Sequence, residues 1–138
     1  MRVVLDTNVL IAALVARGQC HDVLVHCERH HHLVISPFII NELEAKLVGK
    51  FKVPVAKAAE AAHAIAAQAE VIDPPPLDQP ACRDPDDDGV LATALHGQCT
   101  CLITGDKDLL VLDPFRDIRI LAPNAFWAFE ATWANPTP

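Results

Sequence analysis

Short apolar segments alternate with helix-like segments along this chain, and the alternation constrains the fold more than any other feature. Five segments are candidate strands: RVVLD (2–6), LVIS (33–36), VID (71–73), TCLIT (100–104) and IRIL (118–121). Short apolar runs rich in β-branched residues are typical of strands buried in a parallel sheet. We therefore predict a single α/β domain over residues 1–138, with a central, mostly parallel sheet flanked by helices.

The segments between these strands have the spacing and the end signals of helices. A helix is predicted to begin at Thr7, and Gly18 can end it. Ser36 can cap a later helix that has Pro37 at its first position and runs to Gly49. Other predicted helices are HDVLVHCERH (21–30), residues 53–70, the segment from Asp86 or Asp87 through GVLATALHG, DKDLLVL (106–112) and PNAFWAFEATW (123–133). Residues 134–138 are expected to fray.

Composition narrows the possible functions. The net charge of −7 argues against a protein that coats nucleic acid through bulk electrostatics. It is compatible with an enzyme acting on nucleic acid, because bound divalent cations would offset local negative charge. The longest apolar runs are too short to cross a bilayer, and Asp6 and Asn8 interrupt the N-terminal one, so no membrane association and no secretion signal are expected.

Cysteine usage points to a reducing compartment. The chain has five cysteines, an odd number, and their spacing matches no disulfide framework. Reduced thiols and a cytoplasmic location are therefore expected. Cys99 and Cys101 alternate within a strand-like stretch, so we predict that at least one of them is buried.

An unusual acidic run, RDPDDDGV (83–90), places four carboxylates within five positions. Helix capping explains one or two of them, at roughly 0.3–1 kcal/mol each, but not four that repel one another. A calcium-binding loop fits Asp84, Asp86, Asp88 and Gly89, but its twelfth position is Leu95 rather than glutamate, so we reject it. A divalent cation shared with other acids would remove the repulsion.

Three further acids are expected near that run. In parallel sheets ligands bind beyond the carboxyl ends of the strands. Asp6 ends the first predicted strand, Asp106 lies two residues past TCLIT, and Glu42 lies in the helix that follows LVIS. The predicted topology brings these acids and Asp87 to one edge of the sheet, where hard cations such as Mg²⁺ find the oxygen ligands they prefer.

Four blocks of sequence resemble the PIN-domain nucleases, in the bacterial and archaeal branch of toxin components from toxin–antitoxin pairs. The blocks are VVLDTNVL (3–10), SPFIINEL (36–43), RDPDDDGVLATAL (83–95) and LITGDKDLL (102–110). The resemblance implies a compact α/β domain and Mg²⁺- or Mn²⁺-dependent hydrolysis of RNA phosphodiesters by an acidic quartet. It also suggests an antitoxin partner, whose basic side chain can occupy the cleft, and a homodimer.

The resemblance assigns roles to individual residues. Asp6 matches the acid that closes the first strand, Glu42 the acid of the E-L block, and Asp106 the acid of the T-x-D block. The third acid lies seven residues before a small helix residue, aligned with Ala94, which selects Asp87. The implied catalytic and metal-binding set is Asp6, Glu42, Asp87 and Asp106. Supporting positions are Asn8, Thr104, Asp88 (the runner-up for the third acid) and Asp108, with Asp84 as an outer or turn-forming acid.

The expected chemistry is metal-assisted attack of water on single-stranded RNA, leaving a 5′-phosphate. One cation lowers the pKa of the water, and the same cation or a second one about 4 Å away stabilises the leaving oxygen. Glu42 is either a ligand or the group that orients the water, as a general base.

Each acid also has a purely structural interpretation. The alternatives are an N-cap role for Asp6, an ion pair between Glu42 and Lys46, a first-turn acid for Asp87 and a cap for Asp106. Two other functions stay open. One is a binding module that holds RNA or a protein without turnover. The other is a haloacid-dehalogenase-type phosphatase, which requires a second aspartate where Asn8 stands and leaves Glu42 without a role.

Three further groups of residues have two interpretations each. The histidine-rich segment suggests zinc or an exposed helix end: His26, Cys27, His30, His31 and His32. The C-terminal aromatics suggest base stacking, the core or a dimer contact: Phe126, Trp127, Phe129 and Trp133. The basic segment suggests a phosphate-facing patch or a solvated helix end: Lys46, Lys50, Lys52 and Lys57.

Overall fold

A computed structural model describes residues 1–134, in which strands and helices alternate from end to end. The strands are β1 (Arg2–Leu5), β2 (His32–Ile35), β3 (Glu70–Val71), β4 (Cys101–Ile103) and β5 (Arg119–Leu121). The helices are α1 (Thr7–Val15), α2 (Gln19–His30), α3 (Pro37–Gly49), α4 (Val55–Ala67), α5 (Pro85–His96), α6 (Lys107–Leu110) and α7 (Pro123–Ala134). Of the tail expected to fray, Ala134 ends α7, and residues 135–138 lie outside the described part.

The five strands form one sheet in the order β3-β2-β1-β4-β5, and every neighbouring pair is parallel. Val4 of β1 pairs with Val34 of β2 on one side and with Leu102 of β4 on the other. These three side chains are at most 2% exposed, as expected for the centre of a sheet covered on both faces. The predicted α/β fold with a parallel central sheet is confirmed.

Local end signals explain most helix starts. Ser36 caps α3 by accepting a hydrogen bond from the Ile39 amide, and Pro37 occupies the first turn, as predicted. Gly18 does not end α1, contrary to the prediction. That helix stops at Val15, and Gly18 instead lies at the N-cap of α2.

Strand pairing shortens the helix that was predicted over residues 53–70. The helix α4 covers only Val55–Ala67, and Pro54 precedes it. Glu70 and Val71 leave the helical path and pair with Val34 and Ile35, so β3 lies one residue earlier than predicted. The ladder with β2 overrides the high helix propensity of this alanine-rich segment.

Gly89 explains how α3 and α5 approach each other. A Cβ atom at this position would lie 2.7 Å from Cε1 of Phe38, too close for any larger residue unless the ring moved. The glycine of the acidic run therefore permits close packing between the helix after β2 and the helix that carries the acids.

The cysteines are all free, and Cys27, Cys99 and Cys101 are buried. The prediction that Cys99 or Cys101 is buried is confirmed for both. Within residues 1–134 no single helix has the length and apolarity to cross a bilayer. The helices α1 and α2 have the required length and apolarity only when they are counted together, and they are bent by 106° relative to each other.

Candidate active site

The crevice beyond the carboxyl ends of β1 and β4 is the point where the direction of the chain connections reverses. After β1 the chain proceeds to β2 on one side, whereas β4 pairs with the other side of β1. Asp6 directly follows β1, and its amide donates to the Ile103 carbonyl of β4 at 2.9 Å. In open α/β sheets ligands bind at such a switch point.

Asp6 is buried at the base of this crevice and is only 4% exposed. Its Oδ1 accepts from the Thr7 amide at 2.7 Å, and its Oδ2 accepts from the Thr104 hydroxyl at 2.7 Å. Burial raises the pKa of Asp6, and these two hydrogen bonds offset the shift only in part. Asp6 does serve as the N-cap of α1, as the structural alternative proposed. That role engages one carboxylate oxygen, and the other oxygen faces Thr104 at the end of β4.

Thr104 connects the two strand-end acids. Its hydroxyl donates to Asp6 and accepts from the Asp106 amide at 3.0 Å. Asp106 in turn caps α6 by accepting from the Asp108 amide at 2.9 Å. The completely buried threonine therefore fixes the position of Asp106 relative to Asp6, and its supporting role in a metal site stays a prediction.

Three carboxylates converge above Asp6. Asp87 from α5 and Asp106 and Asp108 from the start of α6 each offer an oxygen, and these oxygens lie within 4.8 Å of one another. We call Asp6, Asp87, Asp106 and Asp108 together the acidic crevice. Asp108 also accepts from the Arg83 guanidinium at 3.1 and 3.2 Å, so its charge is partly balanced.

Among these acids, Asp87 has an ionised form that is strongly disfavoured by its surroundings. Burial raises its pKa to about 7, with further contributions from the charges of Asp106, Asp84 and Asp6 and from a hydrogen bond with Asp106. A carboxyl group in this environment keeps its proton to a higher pH than usual, and a cation that compensates the neighbouring charges would favour the ionised form.

The neighbouring acids of the run have structural roles. Oδ1 of Asp88 accepts from the Ala81 and Cys82 amides at 3.0 and 2.9 Å, so this carboxylate holds the preceding loop against α5. Asp84 caps α5 by accepting from the Asp86 amide at 2.9 Å. Among the four acids of the run, only Asp87 belongs to the set of converging carboxylates, and the choice of Asp87 over Asp88 as the third acid stays a prediction.

The sequence profile of the PIN domain family matches residues 2–108, which contain all four acids of the crevice. The chain belongs to the PIN domain family. A search of curated proteins finds no match.

Solved structures share this PIN fold at low sequence identity. VapBC2 from Rickettsia felis, bound to a DNA fragment from its promoter, is 14% identical, with a TM-score of 0.62 over 87% of this chain and 97% of that one. VapBC-1 from nontypeable Haemophilus influenzae is 18% identical, with a TM-score of 0.62 over 90% and 99%. A protein from Pyrobaculum aerophilum is 19% identical, with a TM-score of 0.54 over 95% and 90%.

Glu42 is not one of the three carboxylates that converge in this PIN domain. It lies half-buried on α3, which follows β2, one strand further from β4 than Asp6. The alternative ion pair with Lys46 is not formed in residues 1–134, because Lys46 reaches Asn8 on α1 at 3.4 Å. Glu42 and Lys46 share a face of α3 by their spacing, so this face is directed toward the start of α1.

The oxygen-only donor set of the crevice fits a hard divalent cation. Carboxylates within 4.8 Å of one another repel, and Mg²⁺ and Mn²⁺ prefer such oxygen ligands. Sequence reasoning placed Asp108 only behind a water, whereas the structure puts its carboxylate directly into the set. The signal was present in the sequence, because an aspartate N-cap bonded to the amide two residues later brings that residue to the same helix end.

A second cluster lies at the contact between α2 and α7. Two of its members belong to the histidine-rich segment, whereas no local pattern in the sequence indicates the third, Glu130. Nε2 of His26 and Nε2 of His31 each lie 2.5 Å from the same Glu130 oxygen, Oε2. We call these three residues the histidine cluster. The remaining members of the histidine-rich segment do not contact Glu130: Cys27 is in the core, His30 is exposed with its ring beside that of His26, and His32 contacts Glu70 at 3.4 Å.

The C-terminal aromatics divide between the core and the surface. Phe126 is completely buried, whereas Trp133 is 49% exposed. Phe126 and Trp127 pack edge-on against each other and against the ring of His26. Of the predicted alternatives, the core applies to Phe126, and nothing in the described residues places these rings beside the acidic crevice.

Proposed function

We propose that this PIN domain is a metal-dependent endoribonuclease that hydrolyses phosphodiester bonds in single-stranded RNA, with Mg²⁺ or Mn²⁺ as its cofactor. The observation that carries the proposal is the convergence of Asp87, Asp106 and Asp108 within 4.8 Å, next to buried Asp6, at the switch point of the sheet. Membership of the PIN family supports the assignment to nucleases.

Asp6, Asp87 and Asp106 are the proposed metal ligands, with Asp108 beside them. A cation bound there supplies Lewis acidity toward the phosphodiester and lowers the pKa of the attacking water. Asp87 releases its proton when the site is loaded, because its raised pKa of about 7 belongs to the state in which the acids face one another alone. Two hydrogen bonds fix the position of the Asp6 carboxylate in the site.

We propose that Glu42 orients the attacking water, rather than binding the metal ion together with the converging carboxylates. The support is that Glu42 is not among the three converging carboxylates and lies one helical turn before Lys46, which contacts Asn8 two residues after Asp6. A carboxylate at the rim of a metal site suits the orientation of an attacking water, as a general base.

A groove of about 450 Å³ lies along α1, the helix that begins directly after Asp6, and it supports a nucleic-acid substrate. It is lined by Asn8, Lys46, Lys50 and Phe51, together with apolar residues of α1. Phe51 is 40% exposed, and the Lys50 ammonium lies 5.7 Å from its ring centre. Cationic side chains beside an exposed aromatic ring suit phosphates and stacked bases of a single strand.

The predicted basic segment therefore divides into two parts. Lys46 and Lys50 border the groove. Lys52 donates to the Gly49 carbonyl, and Lys57 lies near Glu60 on α4 at 3.8 Å. We propose that only the first two contact RNA.

We further propose that the protein acts as the toxin of a toxin–antitoxin pair and forms a homodimer. The support is the likeness to the VapBC structures, which covers nearly all of each matched chain. An antitoxin segment with a basic side chain would complement the acidic crevice. The phosphatase alternative is not favoured, because the family profile matches and Asn8 stands where that chemistry needs an aspartate.

The proposal is tested by cleavage of labelled single-stranded and duplex RNAs with Mg²⁺, with Mn²⁺ and with EDTA. We expect cleavage of single strands, its loss in EDTA, and a loss of at least about 100-fold in Asp87→Asn, since even groups behind metal ligands cost up to that factor. The matched control is Asp86→Asn, which removes an exposed neighbouring carboxylate and leaves the rate unchanged.

Two results would contradict the proposal. Cleavage that survives both EDTA and Asp87→Asn places the chemistry elsewhere. Metal-dependent RNA binding without any turnover identifies the chain as the non-catalytic binding module instead.

A further inference from the structure

Two imidazoles and one carboxylate from separate parts of the chain meet in the histidine cluster. His26 belongs to α2, His31 to the junction between α2 and β2, and Glu130 to α7. Their nearest ligand atoms, Nε2, Nε2 and Oε2, all lie within 4.8 Å of one another. This group shares no residue with the acidic crevice.

The surroundings hold these side chains in place. The side chain of His31 is only 8% exposed, while His26 and Glu130 are 27% and 22% exposed. The ring of buried Phe126 lies 6.0 Å from that of His31, and the ring of Trp127 lies 5.0 Å from that of His26. Aromatic walls of this kind restrict the rings to the orientation in which both Nε2 atoms face Glu130.

We propose that His26, His31 and Glu130 form a binding site for Zn²⁺ or a chemically similar transition-metal ion. Imidazole nitrogen and carboxylate oxygen are usual zinc ligands, and two histidines with one glutamate form a known three-residue set. Ligands 2.0–2.1 Å from a tetrahedral ion lie about 3.3 Å apart. The two contacts of 2.5 Å therefore need to open only modestly to admit the ion.

A tetrahedral ion on these three residues would need a fourth ligand, and two of the three side chains are partly exposed to water. Water provides this ligand, or His30 does, whose ring centre lies 4.7 Å from that of His26. Cys27 is not a ligand, because its side chain is completely buried in the core. The bound ion joins α7 to α2 and β2, so it stabilises the docking of the C-terminal helix.

The two sites of the molecule are expected to separate by metal chemistry. The crevice offers only oxygen atoms, which suit Mg²⁺, whereas the histidine cluster offers nitrogen, which Mg²⁺ binds poorly and Zn²⁺ or Co²⁺ binds well. Millimolar Mg²⁺ therefore occupies the crevice and leaves the histidine cluster to a transition metal.

The experiment titrates the purified protein with Co²⁺ in the presence of millimolar Mg²⁺ and records visible absorption, then displaces the Co²⁺ with Zn²⁺. We expect one equivalent with the strong absorption of a four- or five-coordinate, nitrogen-ligated ion. His26→Gln, His31→Gln and Glu130→Gln each weaken binding by more than about 100-fold, beyond the cost of losing a group behind the ligands. The matched control His32→Gln, in the same histidine run, binds normally.

Thermal unfolding provides the second measurement. Zn²⁺ raises the unfolding midpoint of the wild type and of His32→Gln, and it leaves the midpoints of the three ligand variants unchanged. Glu130→Gln keeps an acceptor oxygen for both rings, so this variant folds. Failure of the wild type to bind Co²⁺ under these conditions, or binding that all three substitutions leave intact, overturns the proposal.

Discussion

The acidic crevice and the histidine cluster are both built from ionisable groups, but their electrostatics are opposite. In the crevice, carboxylates face carboxylates, and the pKa values of Asp6 and Asp87 are raised. In the histidine cluster, burial works against the charge of Glu130, but hydrogen bonds from His31 and His26 outweigh it and lower the pKa of Glu130.

This difference separates a site in which carboxylates crowd one another from one whose carboxylate already has hydrogen-bond partners. A cation bound in the crevice would favour ionisation of its carboxyl groups by compensating their charges. The histidine cluster already pairs its carboxylate with two ring nitrogens, so an ion there must replace existing hydrogen bonds. Crowded like charges, as in the crevice, are therefore the stronger structural sign of a metal centre. In the histidine cluster, where histidines and a carboxylate hydrogen-bond to one another, the side chains are also held together without an ion.

Neutralising one carboxylate in each region sharpens the contrast, and this has the largest expected effect on stability. In metal-free protein at neutral pH, Asp87→Asn raises the unfolding midpoint because it removes repulsion from Asp106 and Asp6. Glu130→Gln lowers the free energy of unfolding by about 1 kcal/mol, and with it the midpoint, because two charge-assisted hydrogen bonds become neutral ones.

Thermal unfolding in EDTA measures both variants. Asp86→Asn is the control for the crevice, since its carboxylate is exposed on the same helix turn. Equal signs for Asp87→Asn and Glu130→Gln would contradict the proposed difference between the two regions.

The pH dependence of stability is the second way to separate them. Asp87 has a pKa of about 7 in the folded protein and 3.8 ordinarily, so the folded state binds more protons between these values. Stability contributed by Asp87 is thus lost as pH rises through this window, in metal-free protein. Glu130, with a lowered pKa, contributes stability above its ordinary value of 4.5 that is lost only as pH falls through the lowered pKa.

Unfolding midpoints between pH 5 and pH 8 test this sign. The difference between wild type and Asp87→Asn isolates the aspartate, because the histidines are common to both proteins. We expect the advantage of Asp87→Asn to grow as pH rises and to shrink when Mg²⁺ is added. An advantage that is independent of pH would show that the carboxyl group is not held protonated.

The smallest expected effect concerns the groove beside the crevice. Lys50→Gln weakens binding of single-stranded RNA and reduces the slope of log affinity against log salt by about 0.7, the value for one phosphate contact on a single strand. Lys57→Gln is the matched control, because Lys57 lies on α4 outside the groove. Fluorescence titration with RNA in EDTA at several salt concentrations measures binding without cleavage. An unchanged slope for Lys50→Gln would remove Lys50 from the RNA path.

Sequence reasoning found residues whose role follows from a strand end. Asp6 and Asp106 stand at the carboxyl ends of strands that are themselves obvious from composition, so their convergence follows from a parallel sheet. It also preferred Asp87 to Asp88, and the reason appears only in the fold, where Asp88 is engaged by two loop amides.

Other features were outside the reach of local patterns. Helix propensity overestimated α4, because pairing with β2 decides where β3 begins. The absence of Glu42 from the three converging carboxylates depends on where β2 lies relative to β4 in the sheet. Glu130 joins His26 across 104 positions of sequence through the packing of α2 on α7.

The sequence by itself determined the alternation of strands and helices, the strand-end acids and the family, because each of these depends on residues that are neighbours along the chain. Only the tertiary structure decided which acid of the run converges with Asp106 and Asp108, and which histidines contact Glu130. The physical reason is that side-chain direction and helix contact depend on packing between distant segments, and packing follows from the shape of the whole core.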